Sequence, residues 1–93
     1  MSHVELPGAL RQFTAGQHSV ELTHADQAPL AEVLDALAGQ CPSLDFRIRD
    51  EQGQLRRFVN VYLDGEDVRH LAALETPVPA GAEIRILPSV AGG

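Results

Sequence analysis

The chain has no lysine and no tryptophan, and only one cysteine and one tyrosine among its 93 residues. All seven basic side chains are arginines. Without a lysine amine the chain cannot accept an isopeptide bond on its own side chains, so any conjugation it enters runs through its own carboxyl end. A single cysteine, Cys41, excludes an internal disulfide and fits a reducing compartment. No Lys or Arg adjoins it in sequence to hold a thiolate, so it reads as a small apolar residue at a helix end rather than a reactive thiol. No apolar run approaches the length of a bilayer span, and Met1-Ser2-His3-Val4-Glu5 lacks the basic start and apolar stretch of a signal peptide; a cytoplasmic protein with no membrane contact is expected. Basic charge is scarce, at 7 residues against 13 acidic ones for a net charge of −6. That balance disfavours nucleic acid and anionic membrane, and suits a soluble partner with a basic docking surface.

Catalytic signatures are missing as well. There is no phosphate-binding glycine loop and no cysteine pair, and His3, His18, His24 and His70 are scattered without metal-ligand spacing. The carboxylates read as a solvated surface, since nothing in the sequence brings two of them into a shared apolar pocket. The expectation is a protein that is not an enzyme and binds no metal and no cofactor of its own.

What is present is a regular order of short elements. His3-Val4-Glu5-Leu6 and His18-Ser19-Val20-Glu21-Leu22-Thr23 alternate polar and apolar, which predicts two half-buried strands of an N-terminal hairpin with a long loop. A helical turn around residues 9–13 is compatible with that loop. Over residues 29–38, Leu30, Val33, Leu34 and Leu37 fall at i, i+3, i+4 and i+7 and predict an amphipathic helix, with Asp26 favouring its start and Gly39 and Pro42 its stop. Residues 43–54 read as a mostly irregular crossover ending in a turn, although Phe46 and Ile48 alternate with Arg47 and Arg49. Residues 57–63 are β-prone, with Val59, Val61 and Leu63 on the core face and Phe58, Asn60 and Tyr62 on the other. Asp64-Gly65 predicts a hairpin turn into a short return strand at Asp67-Val68-Arg69. A helical turn over residues 70–74 and a proline-rich loop follow. The last strand, Glu83-Ile84-Arg85-Ile86-Leu87, turns Ile84 and Ile86 inward and ends at Pro88.

Hairpin, helix, crossover, strand pair and final strand together predict an α+β β-grasp, the ubiquitin-like roll. Its mixed sheet of four or five strands packs on one main helix. The domain spans residues 1–88 and a flexible tail residues 89–93. The two terminal glycines have no Cβ and could enter a narrow slot. Five extended residues span roughly 17 Å, enough to reach a partner's active site while the body docks outside. Phe58, Asn60, Tyr62 and Leu87 form a candidate docking surface, because exposed aromatics on a small sheet often mark interfaces; the alternative reading is that Phe58 and Tyr62 pack under loops.

The closing Ile84-Arg85-Ile86-Leu87-Pro88-Ser89-Val90-Ala91-Gly92-Gly93, together with Arg57-Phe58-Val59-Asn60-Val61-Tyr62 and the Glu66-Asp67-Val68-Arg69 return, resembles the MoaD/ThiS family of ubiquitin-like sulfur carriers. The resemblance is strongest from Arg56 onward. It implies that an E1-like adenylating and sulfurtransferase enzyme uses ATP and magnesium to activate the Gly93 carboxylate, which then becomes a thiocarboxylate, with Val90, Ala91 and Gly92 as the slim arm behind it. In the cysteine-forming branch of that family, the partners implied are a pyridoxal-phosphate (PLP)-dependent cysteine synthase, or another sulfur acceptor enzyme, and a zinc metalloprotease that clips off the product. Alternative readings are the small subunit of molybdopterin synthase, a ubiquitin-like protein modifier, and an inert interaction module.

Overall fold

The alternating segments from the two ends of the chain meet in the middle of one sheet. In the computed structural model, which describes residues 2–88, β1 (Ser2–Glu5) pairs antiparallel with β2 (Ser19–Leu22), with Val4 opposite Val20. The intervening loop holds a 3-10 helix over Gly8–Thr14, where a helical turn was expected. β7 (Glu83–Pro88) runs parallel to β1 and antiparallel to β4 (Val59–Leu63), which in turn pairs with β5 (Glu66–Asp67). The result is a five-stranded mixed sheet in the order β2-β1-β7-β4-β5. A parallel neighbour cannot be reached by a tight turn, so the helices between β2 and β4 lie on one face of this sheet as its crossover.

That face is the core. α1 (Leu30–Gln40) fully buries Leu30, Val33, Leu34 and Leu37, the stripe read from the sequence, against Val4, Leu22, Val61, Ile84 and Ile86 of the strands. The β4–β5 turn places Asp64 at φ 48° and Gly65 at φ 88°, the left-handed pair that a two-residue hairpin needs. The turn is pinned to β7 by Asp64, whose amide donates to the Glu83 carbonyl at 2.8 Å while its carboxylate accepts from the Glu83 amide at 2.9 Å.

Several expectations need correction. Residues 43–54 are not mostly irregular, because Pro42–Ile48 forms a second helix, α2, with Pro42 in its first turn. Leu44 and Ile48 are buried one helical turn apart, whereas Phe46, read as a partner of Ile48 on a strand face, is exposed. The turn at the end of that stretch is present, closed by an antiparallel bridge between Arg49 and Leu55. The return after Gly65 is a strand only over Glu66–Asp67; Val68–His70 is already a 3-10 turn whose Arg69 amide is capped by the Asp67 carboxylate. Asp26 does not start α1. Pro29 precedes the helix in extended conformation, and the Asp26 carboxylate instead accepts from the Ala80 amide at 2.8 Å. Gly39 does not stop α1 either; the helix continues through Gln40 to Cys41. Finally, the proline-rich loop contains β6 (Pro77–Val78), paired with β3 (Ala28–Pro29) as a separate two-stranded ladder at the start of α1. The tail expected over residues 89–93 lies outside the described residues.

Candidate functional site

Alternation along β4 and β7 decides which side chains meet on the open face of the sheet. Val59, Val61 and Leu63 point into the core, and Asn60 and Tyr62 point away from it. Across the β4–β7 ladder Asn60 stands opposite Leu87 and Tyr62 opposite Arg85. Tyr62 and Leu87 line a shallow depression with Gly65, Glu83 and Arg85. Asn60 is held from the side: its Oδ1 accepts from an Arg69 guanidinium nitrogen at 3.1 Å, while the other terminal nitrogen donates to the Arg56 carbonyl at 2.7 Å. The structure therefore brings Asn60, Tyr62 and Leu87 onto one surface next to Pro88, the last described residue. Phe58 is placed differently. It lies in the turn before β4, is 52% exposed, and lines a separate groove with Phe46 and Arg57. Val90, Ala91, Gly92 and Gly93, the residues expected to carry the chemistry, lie outside the described residues.

Beyond this apolar corner the open face is charged. His3 Nδ1 stands 3.0 Å from a Glu21 oxygen on β2 and His3 Nε2 stands 2.6 Å from Glu5 on its own strand. Hydrogen bonds to Glu21 and then Glu5 hold the His3 pKa above its ordinary 6.5, and the same contact with His3 holds Glu5 below 4.5. On the opposite side of the molecule Arg49 ties the two helices together, 2.9 Å from Asp35 of α1 and 2.8 Å from Asp45 of α2. Burial works against its charge, but the hydrogen bonds to Asp45 and Asp35 outweigh burial and raise its pKa. Cys41 is half-buried between α1 and α2 and packs on the core. Among the described residues, no group of three or more His, Cys, Asp or Glu side chains is placed to hold a metal ion. No helix among them is long and apolar enough to cross a membrane.

The sequence reading missed the groove that Phe58 enters. Its walls are α2, the turn over residues 55–58 and Phe13 of the 3-10 helix. The signal in the sequence was the run Phe46-Arg47 and the triplet Arg56-Arg57-Phe58, but their convergence depends on α2, which was read as irregular.

Set beside known proteins, residues 4–93 match the sequence profile described as the ThiS family. The sulfur carrier protein CysO of Mycobacterium tuberculosis is 39% identical over 92 residues, which cover 97% of this chain and 96% of that one. Small archaeal modifier protein 1 of Haloferax volcanii is 35% identical over 79 residues, 85% of this chain and 86% of its own. Among solved structures, a chain in the crystal structure of the Amycolatopsis orientalis BexX/CysO complex superposes with a TM-score of 0.88 at 38% identity, with both chains covered completely. The β-grasp expected from the order of elements is thus the fold of these relatives.

Proposed function

The chain belongs to the ThiS family, and from that premise we propose that it is a sulfur carrier whose reactive group is the Gly93 carboxylate. The observation that carries this reading is that the family match runs through Gly92 and Gly93. Relatives named as sulfur carriers, aligned over almost the whole chain, support it.

A carboxylate is a poor acyl donor because its leaving group would be oxide. In the proposed cycle the Gly93 carboxylate oxygen attacks the α-phosphorus of ATP on an E1-like enzyme, with magnesium on the phosphates, and pyrophosphate leaves. Sulfide sulfur, delivered by a donor, then attacks the acyl carbon, the C–O bond to AMP breaks, and Gly93 ends as a thiocarboxylate. This sulfur is nucleophilic and stays attached to a protein instead of diffusing as free sulfide. The chain acts as a co-substrate, and its partner enzymes supply the catalysis, ATP and magnesium. Asn60, Tyr62 and Leu87, next to Pro88, form the surface on which those enzymes dock. Cysteine or a specialised sulfur metabolite is the destination we favour, on the resemblance to the cysteine-forming branch of the family and the likeness to relatives named sulfur carrier protein CysO. For cysteine, a pyridoxal-phosphate cysteine synthase and a zinc metalloprotease are the downstream partners.

Intact-mass measurement after incubation with an activating enzyme, ATP and sulfide tests the first steps; replacement of one terminal oxygen by sulfur is the expected change. An unaltered mass when a control carrier is converted would sink the proposal. Gly92→Val places a β-branched side chain where the arm must be slim, and is expected to cut ATP–pyrophosphate exchange by about tenfold or more while the circular dichroism spectrum stays unchanged. Exchange at the normal rate would refute the slot argument. The likeness to small archaeal modifier protein 1 favours one second reading, attachment of Gly93 to lysines of other proteins. A Gly93–lysine isopeptide in a tryptic digest of host proteins would establish that role.

A further inference from the structure

All three phenylalanines of this chain converge on the groove between α2 and the turn before β4, and each carries an arginine. The Arg47 guanidinium lies 5.0 Å from the Phe13 ring centre, Arg56 lies 5.8 Å from Phe46, and Arg57 lies 5.5 Å from Phe58. Phe46 is 62% exposed and Phe58 is 52% exposed, the two most exposed large apolar residues described. A ring covers one face of each guanidinium, and although Arg56 Nε already donates to the Phe46 carbonyl at 2.7 Å, terminal N–H donors remain for an acceptor in the groove.

The charge here runs against the rest of the molecule. In a chain with 13 carboxylates and a net charge of −6, Arg47, Arg56 and Arg57 make no ion pair among the described residues. Arg49 and Arg85 each have an acidic partner, and Arg11 and Arg69, also without one among the described residues, donate to carbonyl and amide oxygens, so what sets the groove apart is that three arginines gather there on three rings. The one carboxylate in the groove lining is Asp50, and its Oδ1 already accepts from the amides of Gln52 and Gln54, at 2.9 and 3.0 Å, within its own turn. The position is also informative. β4 is antiparallel to β7 and Val59 stands opposite Pro88, so Phe58 and Val59, at the lip of the groove, lie at the end of the sheet where β7 finishes. Pro88, the last described residue, therefore leaves the sheet beside the groove.

We propose that this groove is a second docking site, which takes a short acidic segment bearing an aromatic or long aliphatic side chain from a protein partner. The apolar side chain inserts between Phe46 and Phe58, and the flanking carboxylates meet the edges of Arg47, Arg56 and Arg57. A nucleic acid has the right charge and stacking chemistry, but its continuous phosphate track would run out of the groove onto an acidic surface. A short acidic peptide has no such track. The site does not depend on thiocarboxylate formation, so it can stand or fall separately from the carrier reading.

The test is a titration of the isotope-labelled full chain, followed by amide chemical shifts, with a short peptide of aspartates around one central phenylalanine. Shifts confined to residues 42–59 and the surroundings of Phe13 are expected. The R47E/R57E double variant should weaken binding by about tenfold or more, since both charges act on the same ligand. Unchanged sheet amides in that variant would confirm that it is folded. Phe46→Ala should weaken binding without altering its salt dependence. No saturable shift, shifts on the open sheet face instead, equal binding of a lysine-substituted peptide, or tighter binding of an oligothymidylate in the groove would each overturn the proposal. So would shifts in the groove that depend on protein concentration alone, because a second copy would then be the occupant.

Discussion

His3 occupies a position that a neutral imidazole cannot fully satisfy. Both ring nitrogens face carboxylates, Glu21 at 3.0 Å and Glu5 at 2.6 Å, and only the doubly protonated ring has two N–H donors. The His3 pKa is raised, so its contribution to stability is fully present below 6.5 and fades as pH rises through its folded value. Glu5 is lowered, so its share is present above 4.5 and fades as pH falls through its folded value. The contact thus stabilises most in the mildly acidic window between 4.5 and 6.5, where both partners are charged. Thermal melts of wild type and His3→Gln across pH should show the largest gap in that window and convergence in alkaline buffer. Both side chains are solvent-accessible, so the gap is small even at its maximum. A gap that grows with alkalinity would mean that the ring is held neutral.

α2 depends on one side chain more than on its own propensity, since an isolated seven-residue helix is marginal in water. Arg49, with its side chain only 10% exposed, joins Asp45 of α2 to Asp35 of α1 and also donates to the Ala31 carbonyl at 3.4 Å. Arg49→Met should destabilise the protein by about 2 kcal/mol, the usual cost of losing hydrogen bonds to charged groups. Phe46→Ala, on the exposed face of the same helix, should shift stability by no more than about 0.5 kcal/mol. Urea titrations of the two variants measure both. Equal losses would mean that Phe46 packs on the core. This helix also shows where the sequence was ambiguous. Leu44, Phe46 and Ile48 fit a period of two, while Leu44 and Ile48 alone fit one helical turn, so periodicity could not choose between strand and helix. Pro42 in the first turn and the Arg49 clamp settle the choice, and the clamp reaches back to Asp35, a partner no local pattern reveals. α1, β1, β2, β4 and β7 were readable because each presents one uninterrupted period of its own. The β3–β6 ladder was not, since two-residue strands containing proline carry no period and are defined only by meeting each other. The open-face set was legible for Asn60, Tyr62 and Leu87, which follow from alternation. Phe58 departs from it because its turn precedes the strand.

At the scale of the whole molecule, the described residues form one body around a shared core. Among the described residues, all twenty buried apolar residues of the core lie between Val4 and Ile86, and the final ladder closes at the Val59–Pro88 pair. The helices and the strands contribute to one shared core, so the body should unfold as a single cooperative unit. A chain ending at Pro88 removes none of these residues, and its unfolding free energy should stay within about 0.5 kcal/mol of the full chain. Ile86→Ala, by contrast, leaves a cavity opposite Val61 and should cost about 3 kcal/mol. The two changes should have opposite effects on chemistry: the shortened chain cannot be adenylated at Gly93, whereas Ile86→Ala can be, at temperatures where it remains folded. Denaturant melts and pyrophosphate exchange on the same two proteins check this together. If the shortened chain loses several kcal/mol, residues 89–93 belong to the fold, and the division of labour between body and chain end is wrong.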